Sequence, residues 1–193
     1  MPTVITVPSG TAVFLVVAVL VIAFLGAVLL AILGWRRKLR NRFGPEYERT
    51  VGKLGRYKAE WELYKRQRYV EHLHIRPLPE ADRERFSAAW QAVQLEFVDN
   101  PGKALARADE LVAEVMNTRG YPVRDFERRT EHISVDHPRV VESYRVAHNI
   151  TLAQARGQAS TEQIRQAILH YRALFDDLLP ATQIEEYTAM ERH

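Results

Sequence analysis

A serine, an aspartate and a histidine lie within one short segment, Ser134 to His137. These residue types make up a hydrolase triad, in which histidine takes the proton of a serine nucleophile and a carboxylate orients the histidine. Such triads are assembled from residues distant in sequence, because the histidine must bridge the other two, and Asp136 cannot readily do this for the adjacent His137. The segment instead predicts a helix start, with Ser134 or Asp136 as N-cap and Pro138 in the first turn.

Metal and nucleotide chemistry are also disfavoured. The chain has no cysteine, so a metal site would need imidazoles and carboxylates, and a disulfide framework is excluded. No two histidines have the i, i+4 spacing of a helical zinc site, although three ligands gathered from separate helices remain an alternative. The glycines at Gly52 and Gly55 lack the spacing of a phosphate-binding loop. We therefore predict no catalytic residue, no cofactor and no metal. The imidazoles that such a site could use are His72, His74, His132, His137, His148 and His170.

The elements that would position any site divide the chain into an apolar part and a charged part. Residues 1–34 contain no Asp, Glu, Lys, Arg or His. As a helix, residues 11–34 would be about 36 Å long, enough to cross a hydrocarbon core of about 30 Å. A cleaved signal peptide is the rival interpretation, but it requires a basic start, a shorter apolar core and a small-residue cleavage site. The sequence therefore predicts one uncleaved transmembrane helix.

Basic residues follow this segment, whereas residues 1–10 contain none. The positive-inside rule then places residues 35–193 in the cytoplasm and the N-terminus outside. The basic residues that set this topology, and that could also bind anionic lipid headgroups, are Arg36, Arg37, Lys38, Arg40 and Arg42. Fixing the topology is the role we favour for them.

Within the span, Ala23, Ala27 and Ala31 recur every four residues. Small residues on one face allow two transmembrane helices to approach closely. The spacing therefore indicates a face through which the chain could form a homo-oligomer.

The charge distribution is uneven beyond the span. Residues 36–68 hold 12 basic and four acidic residues, whereas residues 69–193 hold 15 basic and 20 acidic ones. A basic segment next to a bilayer suits anionic lipid headgroups. Nucleic-acid binding is not expected, because the rest of the chain is acidic. The series Tyr57, Trp61 and Tyr64 falls in the basic segment and is interpreted as core, with a lipid-interface or base-stacking role as the alternative.

After Gly44 and Pro45 the hydrophobic spacing is helical almost throughout. Breaks are predicted at Gly52 or Gly55, at residues 99–102 and at Gly120. Ser160 and Gln163 form a capping-box pattern that starts the last helix. Stripes of apolar residues predict the buried helix faces, most clearly Phe86, Trp90, Val93 and Phe97.

These observations predict an all-α protein in which one N-terminal transmembrane helix precedes a compact bundle of about four to six helices. The predicted segments are a short tail (1–10), the transmembrane helix (11–34), a basic juxtamembrane stop (35–44), the helical bundle (45–180) and a C-terminal tail (181–193).

Several short motifs resemble those of an uncharacterised group of bacterial single-span membrane proteins with a small helical soluble domain. They are Arg42 to Tyr47, Ile75 to Leu78, Phe97 to Asp99, Arg119 to Pro122, Ser134 to His137 and His170 to Phe175. The resemblance spans most of the charged part and implies a bacterial plasma-membrane protein. It implies no activity and no catalytic residues.

The sequence therefore favours a non-enzymatic adaptor or interaction module, anchored in the bilayer and binding a protein partner at the cytoplasmic face. Two alternatives remain. The first is a hydrolase or histidine-dependent metal protein that uses the turn at residues 134–137. The second is a basic module that responds to anionic lipid.

Overall fold

The structure is a computed structural model that describes residues 9–122 and 125–180. These ranges are all-helical, which confirms the predicted class. The chain forms two compact units, Met1–Asn41 and Arg42–His193. The helices are α1 (Ser9–Phe43), α2 (Pro45–Leu54), α3 (Arg56–Glu71), α4 (Glu80–Asp99), α5 (Pro101–Arg119), α6 (Phe126–Asp136), α7 (Val141–Ala155) and α8 (Thr161–Leu178).

Helix α1 supplies the apolar part of the first unit. Among the described residues it is the one helix long and apolar enough to cross a membrane, judged by length and composition. Its most apolar window has a mean hydropathy of 3.3, and none of that window is buried within the protein. The helix does not end at the predicted boundary of residue 34 but continues without a break through the basic residues to Phe43. Lysine and arginine are good helix formers, so the basic stop extends the helix.

Ala23, Ala27 and Ala31 are all exposed on α1 and share one helix face by their spacing. The predicted C-terminal tail lies outside the described residues, as do residues 1–8 of the predicted N-terminal tail.

The core of the second unit lies among α4, α5, α7 and α8. The most extensive contacts join α7 to α8, α4 to α5 and α5 to α8. The predicted stripe on α4 is confirmed, since Phe86, Trp90 and Val93 are buried and Phe97 packs against the core. Trp90 stacks on Phe175 of α8 with ring centroids 4.8 Å apart. Burial of these large apolar side chains is the main force that holds the bundle together.

Helices α2 and α3 form a hairpin beside this core. The chain breaks at Gly55, which has a φ of 75°, whereas Gly52 lies inside α2. A positive φ is favourable for glycine because it has no Cβ. The hairpin packs through α3 on α6 and through α2 on α7. Within the described ranges the bundle thus contains seven helices, α2 to α8.

Two of the predicted helix ends are confirmed in detail. Ser160 Oγ accepts a hydrogen bond from the Gln163 backbone N–H at 3.2 Å, and the Gln163 side chain accepts one from the Ser160 N–H at 2.8 Å. This is the capping box that starts α8. Gly120 ends α5 in the left-handed conformation, with a φ of 100°.

The predicted helix start at Ser134 to His137 is wrong. Ser134 and Asp136 belong to the last turn of α6, whose N-cap is Asp125. The His137 N–H still donates to the Ile133 carbonyl at 2.8 Å, so the helical hydrogen bonds run on to this residue. Pro138 then disfavours helical geometry at His137, and α7 starts at Val141 without a side-chain cap.

Candidate functional site

The side chains of the proposed triad do not form one. Ser134 is fully buried, and its Oγ donates to the Glu131 carbonyl at 2.7 Å. Asp136 Oδ2 instead accepts a hydrogen bond from the Tyr121 hydroxyl at 2.8 Å. Burial and the nearby Asp136 carboxylate raise the pKa of Tyr121, which keeps its hydroxyl protonated as the donor. Serine and aspartate are thus occupied by structural hydrogen bonds.

His137 has a carboxylate partner that the sequence analysis missed. Its Nδ1 lies 2.6 Å from Asp177 Oδ2 in α8, and the hydrogen bond from His137 is the largest cause of a lowered pKa at Asp177. Its Nε2 lies 3.5 Å from Arg119 Nη1. Because a guanidinium can only donate, Nε2 can pair with Arg119 only as an acceptor, and the tautomer that allows this donates from Nδ1 to Asp177. The nitrogen that a general base would offer to a substrate therefore faces Arg119.

This arrangement serves the packing of α8 against α5. Arg119 is buried and its Nη1 also donates to the Leu178 carbonyl at 3.0 Å, which satisfies one of the free carbonyls at the end of α8. His137 and Asp177 are 40 positions apart, so no local motif could have paired them.

The other histidines are dispersed. His132 stacks on Tyr69 at a centroid distance of 4.8 Å, and burial lowers its pKa. His148 stacks on Phe126 at 3.7 Å, with Nδ1 3.6 Å from Asp109 Oδ2. Over residues 9–122 and 125–180, no group of three His, Asp or Glu side chains is placed to hold a metal ion.

A buried ion pair, also missed from the sequence, joins α2 to α7. Arg145 Nη2 donates to both carboxylate oxygens of Glu46, at 2.9 and 3.0 Å. Arg145 Nη1 donates to Thr130 Oγ1 at 2.9 Å. Both charged side chains are 6% exposed. Charges are stable in a protein interior only when they are paired and hydrogen-bonded, so this pair fixes where α2 sits against α7.

Arg66 extends the ion pair to two more helices. Its Nη1 lies 3.3 Å from Glu46 Oε1, and its Nη2 lies 3.0 Å from Glu131 Oε1. On the same side of α3, Glu60 accepts a hydrogen bond from the buried Tyr47 hydroxyl at 3.0 Å. These contacts turn one side of α3 toward the bundle. Glu46 and Glu131 each pair with a guanidinium group, as in a structural network, whereas the buried Nε atoms of Arg66 and Arg145 make no hydrogen bond within the described residues.

The aromatic residues on the opposite side of α3 are exposed, so the prediction that they belong to the core is wrong. Tyr57 is 82% exposed, Trp61 is 61% exposed and Tyr64 is 37% exposed, and the last two rings stack at 5.8 Å. The buried residues of α3 are instead Ala59, Glu60, Leu63 and Val70. We name the exposed residues the aromatic–basic face of α3: Tyr57, Lys58, Trp61, Tyr64, Lys65 and Arg68.

Helix α4 carries a second unusual surface. Leu95 is 74% exposed and Val98 is 80% exposed. Arg85 lies over the Phe86 ring and pairs with Asp82, and Glu96 pairs with Lys103 of α5, whereas the exposed Glu84 and Asp99 border this surface at its two ends. Depletion of charge together with exposed apolar side chains distinguishes the centre of a protein interface from ordinary surface. We name the following residues the uncharged face of α4: Ser87, Ala88, Gln91, Gln94, Leu95 and Val98.

Comparison of the chain with protein-family models, with curated proteins and with solved structures finds no match. The resemblance to bacterial single-span membrane proteins therefore stays a prediction.

Proposed function

We propose that this protein is a single-pass, membrane-anchored and non-enzymatic interaction module that displays its helical bundle at the cytoplasmic face of a bacterial plasma membrane. The apolar length of α1 supports the anchor. The basic residues that follow residue 34 support the orientation through the positive-inside rule. The bundle binds a protein partner in this proposal.

The observation that carries the proposal is the uncharged face of α4. About a quarter of the whole chain is charged, yet this outward surface between Glu84 and Asp99 bears no charge and exposes Leu95 and Val98. A solvated helix face normally carries charged residues, which keep it soluble. An apolar, uncharged surface of this kind is instead suited to burial against another protein.

The hydrolase alternative has weaker support. Ser134 is buried and bonded to its own helix, and no contact joins it to His137 among the described hydrogen bonds. A serine nucleophile must lie within hydrogen-bond reach of its base and be open to a substrate. The arrangement at residues 134–137 therefore favours a structural role.

Single cysteines will report the topology, because the chain has none of its own. In intact cells we expect Ser9→Cys to react with a membrane-impermeant thiol reagent. Gln158→Cys, at an exposed position of the bundle, should react only after the cells are opened. The two variants are controls for each other. Labelling of Gln158→Cys in intact cells would place the bundle outside and overturn the proposed location.

A photoreactive phenylalanine analogue at position 95 will test the partner surface in the full chain in cells. Because Leu95 is an exposed apolar residue of the uncharged face, we expect a discrete adduct on illumination. The matched control is the same analogue at Gln166, which is exposed on α8 and bonded to Glu162.

Adding Val98→Asp to the position-95 chain should abolish the adduct, since a buried unpaired carboxylate is costly in an interface. An adduct with twice the mass of the chain would identify a second copy as the partner. Equal yields at positions 95 and 166, or no adduct at either, would contradict the proposal.

A further inference from the structure

The aromatic–basic face of α3 is not used by the fold. The other side of α3 contacts the bundle through Glu60, Leu63 and Arg66, and Tyr69 stacks on His132 of α6. Tyr57 and Trp61 are more exposed than a packed aromatic residue would be, at 82% and 61%. Leaving large aromatic surface in water is unfavourable, so these rings are expected to be covered by something other than the bundle.

The charges on and around this face are mainly positive. Lys58, Lys65 and Arg68 lie among the aromatic rings, and Lys53 and Arg56 are exposed at the preceding turn. Glu62 pairs with Lys65, and Glu71 pairs with Arg68, each at one border of the face. The remaining acid of α3, Glu60, is buried on the other side. The outward surface is therefore complementary to an anionic one.

Tyrosine and tryptophan rings flanked by lysine and arginine are typical of protein surfaces that lie in the headgroup region of a bilayer. The ring body enters the acyl boundary, its polar atom stays among the headgroups, and the cations contact anionic lipid. Leu54, which is half-exposed just before α3, adds apolar surface at the same end of the helix.

The proposed membrane anchor keeps the aromatic–basic face of α3 close to a bilayer. Residues 35–55 separate the end of the predicted span from the start of α3. Most of these residues belong to α1 and α2, and about 20 helical residues span at most about 30 Å, so a chain anchored by α1 holds this face at a high local concentration near the membrane surface. A soluble nucleic acid has no such advantage.

We infer that the aromatic–basic face of α3 docks on the anionic lipid surface of the bilayer in which the chain is anchored. This inference rests on the proposed membrane anchoring. It assigns the face to lipid and leaves the uncharged face of α4 for the protein partner. Docking would orient the bundle on the membrane and would depend on the lipid composition.

Tryptophan fluorescence of the full chain in lipid nanodiscs tests the inference. In a Trp35→Phe background two tryptophans remain, the exposed Trp61 and the buried Trp90. Nanodiscs are prepared with brominated phosphatidylcholine, either alone or mixed with phosphatidylglycerol. We expect loss of most Trp61 emission in the anionic discs, little loss in the neutral discs, and recovery at high salt, which screens surface charge.

A chain that also carries Trp61→Phe reports Trp90 alone and should not be quenched in either disc. Lys58→Gln combined with Lys65→Gln should restore most of the Trp61 emission in anionic discs. The matched control is Lys103→Gln, an exposed lysine of α5, which should leave the quenching unchanged.

Co-elution of the chain with the discs reports the anchoring separately. A chain that does not co-elute overturns the proposed anchoring and this inference with it. A chain that co-elutes with Trp61 unquenched in anionic discs overturns this inference alone. Quenching that is equal in neutral and anionic discs would overturn the inferred preference of this face for anionic lipid. Trp61 emission that changes only on addition of a single-stranded oligonucleotide would assign the face to nucleic acid instead.

Discussion

Replacing Arg145 with alanine is expected to destabilise the bundle by about 3–5 kcal/mol, because removing one partner of a buried ion pair leaves the other charge uncompensated. Glu46 would lose two hydrogen bonds of 2.9 and 3.0 Å and would keep only the longer contact with Arg66. Thr130 would lose its contact with Nη1 as well.

Urea unfolding of the full chain in detergent micelles can measure this change. The emission of Trp90, which stacks on Phe175, follows the bundle core in a chain without the other two tryptophans. The matched control is Arg49→Ala, which breaks a 3.0 Å pair with Glu142 whose side chains are 36% and 61% exposed. An exposed pair of this kind contributes about 1 kcal/mol or less.

A similar small effect for both arginine variants would contradict the structural role of the buried pair. The combined change Glu46→Gln and Arg145→Met gives a further check. It should be less destabilising than the sum of its two parts, because each single change leaves the opposite charge unpaired and the combined change removes both charges.

Gly120→Ala is expected to destabilise the bundle by about 2–5 kcal/mol, from left-handed strain of about 1–2 and overpacking of about 1–3. Gly120 has a φ of 100°, and a Cβ on it would lie 2.8 Å from the His74 backbone carbonyl oxygen. The connector that contains His74 cannot move freely, because the Arg76 N–H donates to the Arg119 carbonyl at 2.9 Å. The substitution therefore forces the connector between α3 and α4 away from the end of α5.

Gly157→Ala is the control that separates strain from crowding. Gly157 also has a positive φ, of 71°, but nothing lies within 4 Å of an added Cβ. We expect it to cost only the strain of about 1–2 kcal/mol. Equal losses of unfolding free energy for the two alanine variants would show that the approach to His74 does not matter.

The sequence determined the local features of this protein. The uncharged apolar stretch predicted the long first helix, and the apolar stripe through Phe86, Trp90 and Val93 predicted the buried face of α4. The capping box at Ser160 and the left-handed end of α5 at Gly120 were predicted from single residues. These features depend on neighbours within a few positions, which is why sequence spacing reveals them.

Sequence spacing did not determine which side of α3 packs. Both sides contain apolar residues, Ala59 and Leu63 on one and Tyr57 and Trp61 on the other. The ion pairs of Arg66 and the hydrogen bond of Glu60 belong to the first side, and their partners come from α2 and α6. Buried polar groups must find partners, so these contacts decide the orientation of the helix and leave the aromatic rings exposed.

Only the tertiary structure pairs His137 with Asp177 and Arg145 with Glu46, across 40 and 99 positions of the chain. Hydrophobic periodicity identifies the apolar side of each helix, but it carries no information about which distant polar side chain will face it. Those pairings arise when the helices close on one core, and they place His137 in the contacts between α5 and α8. The same closure leaves the outer faces of α3 and α4 exposed to solvent.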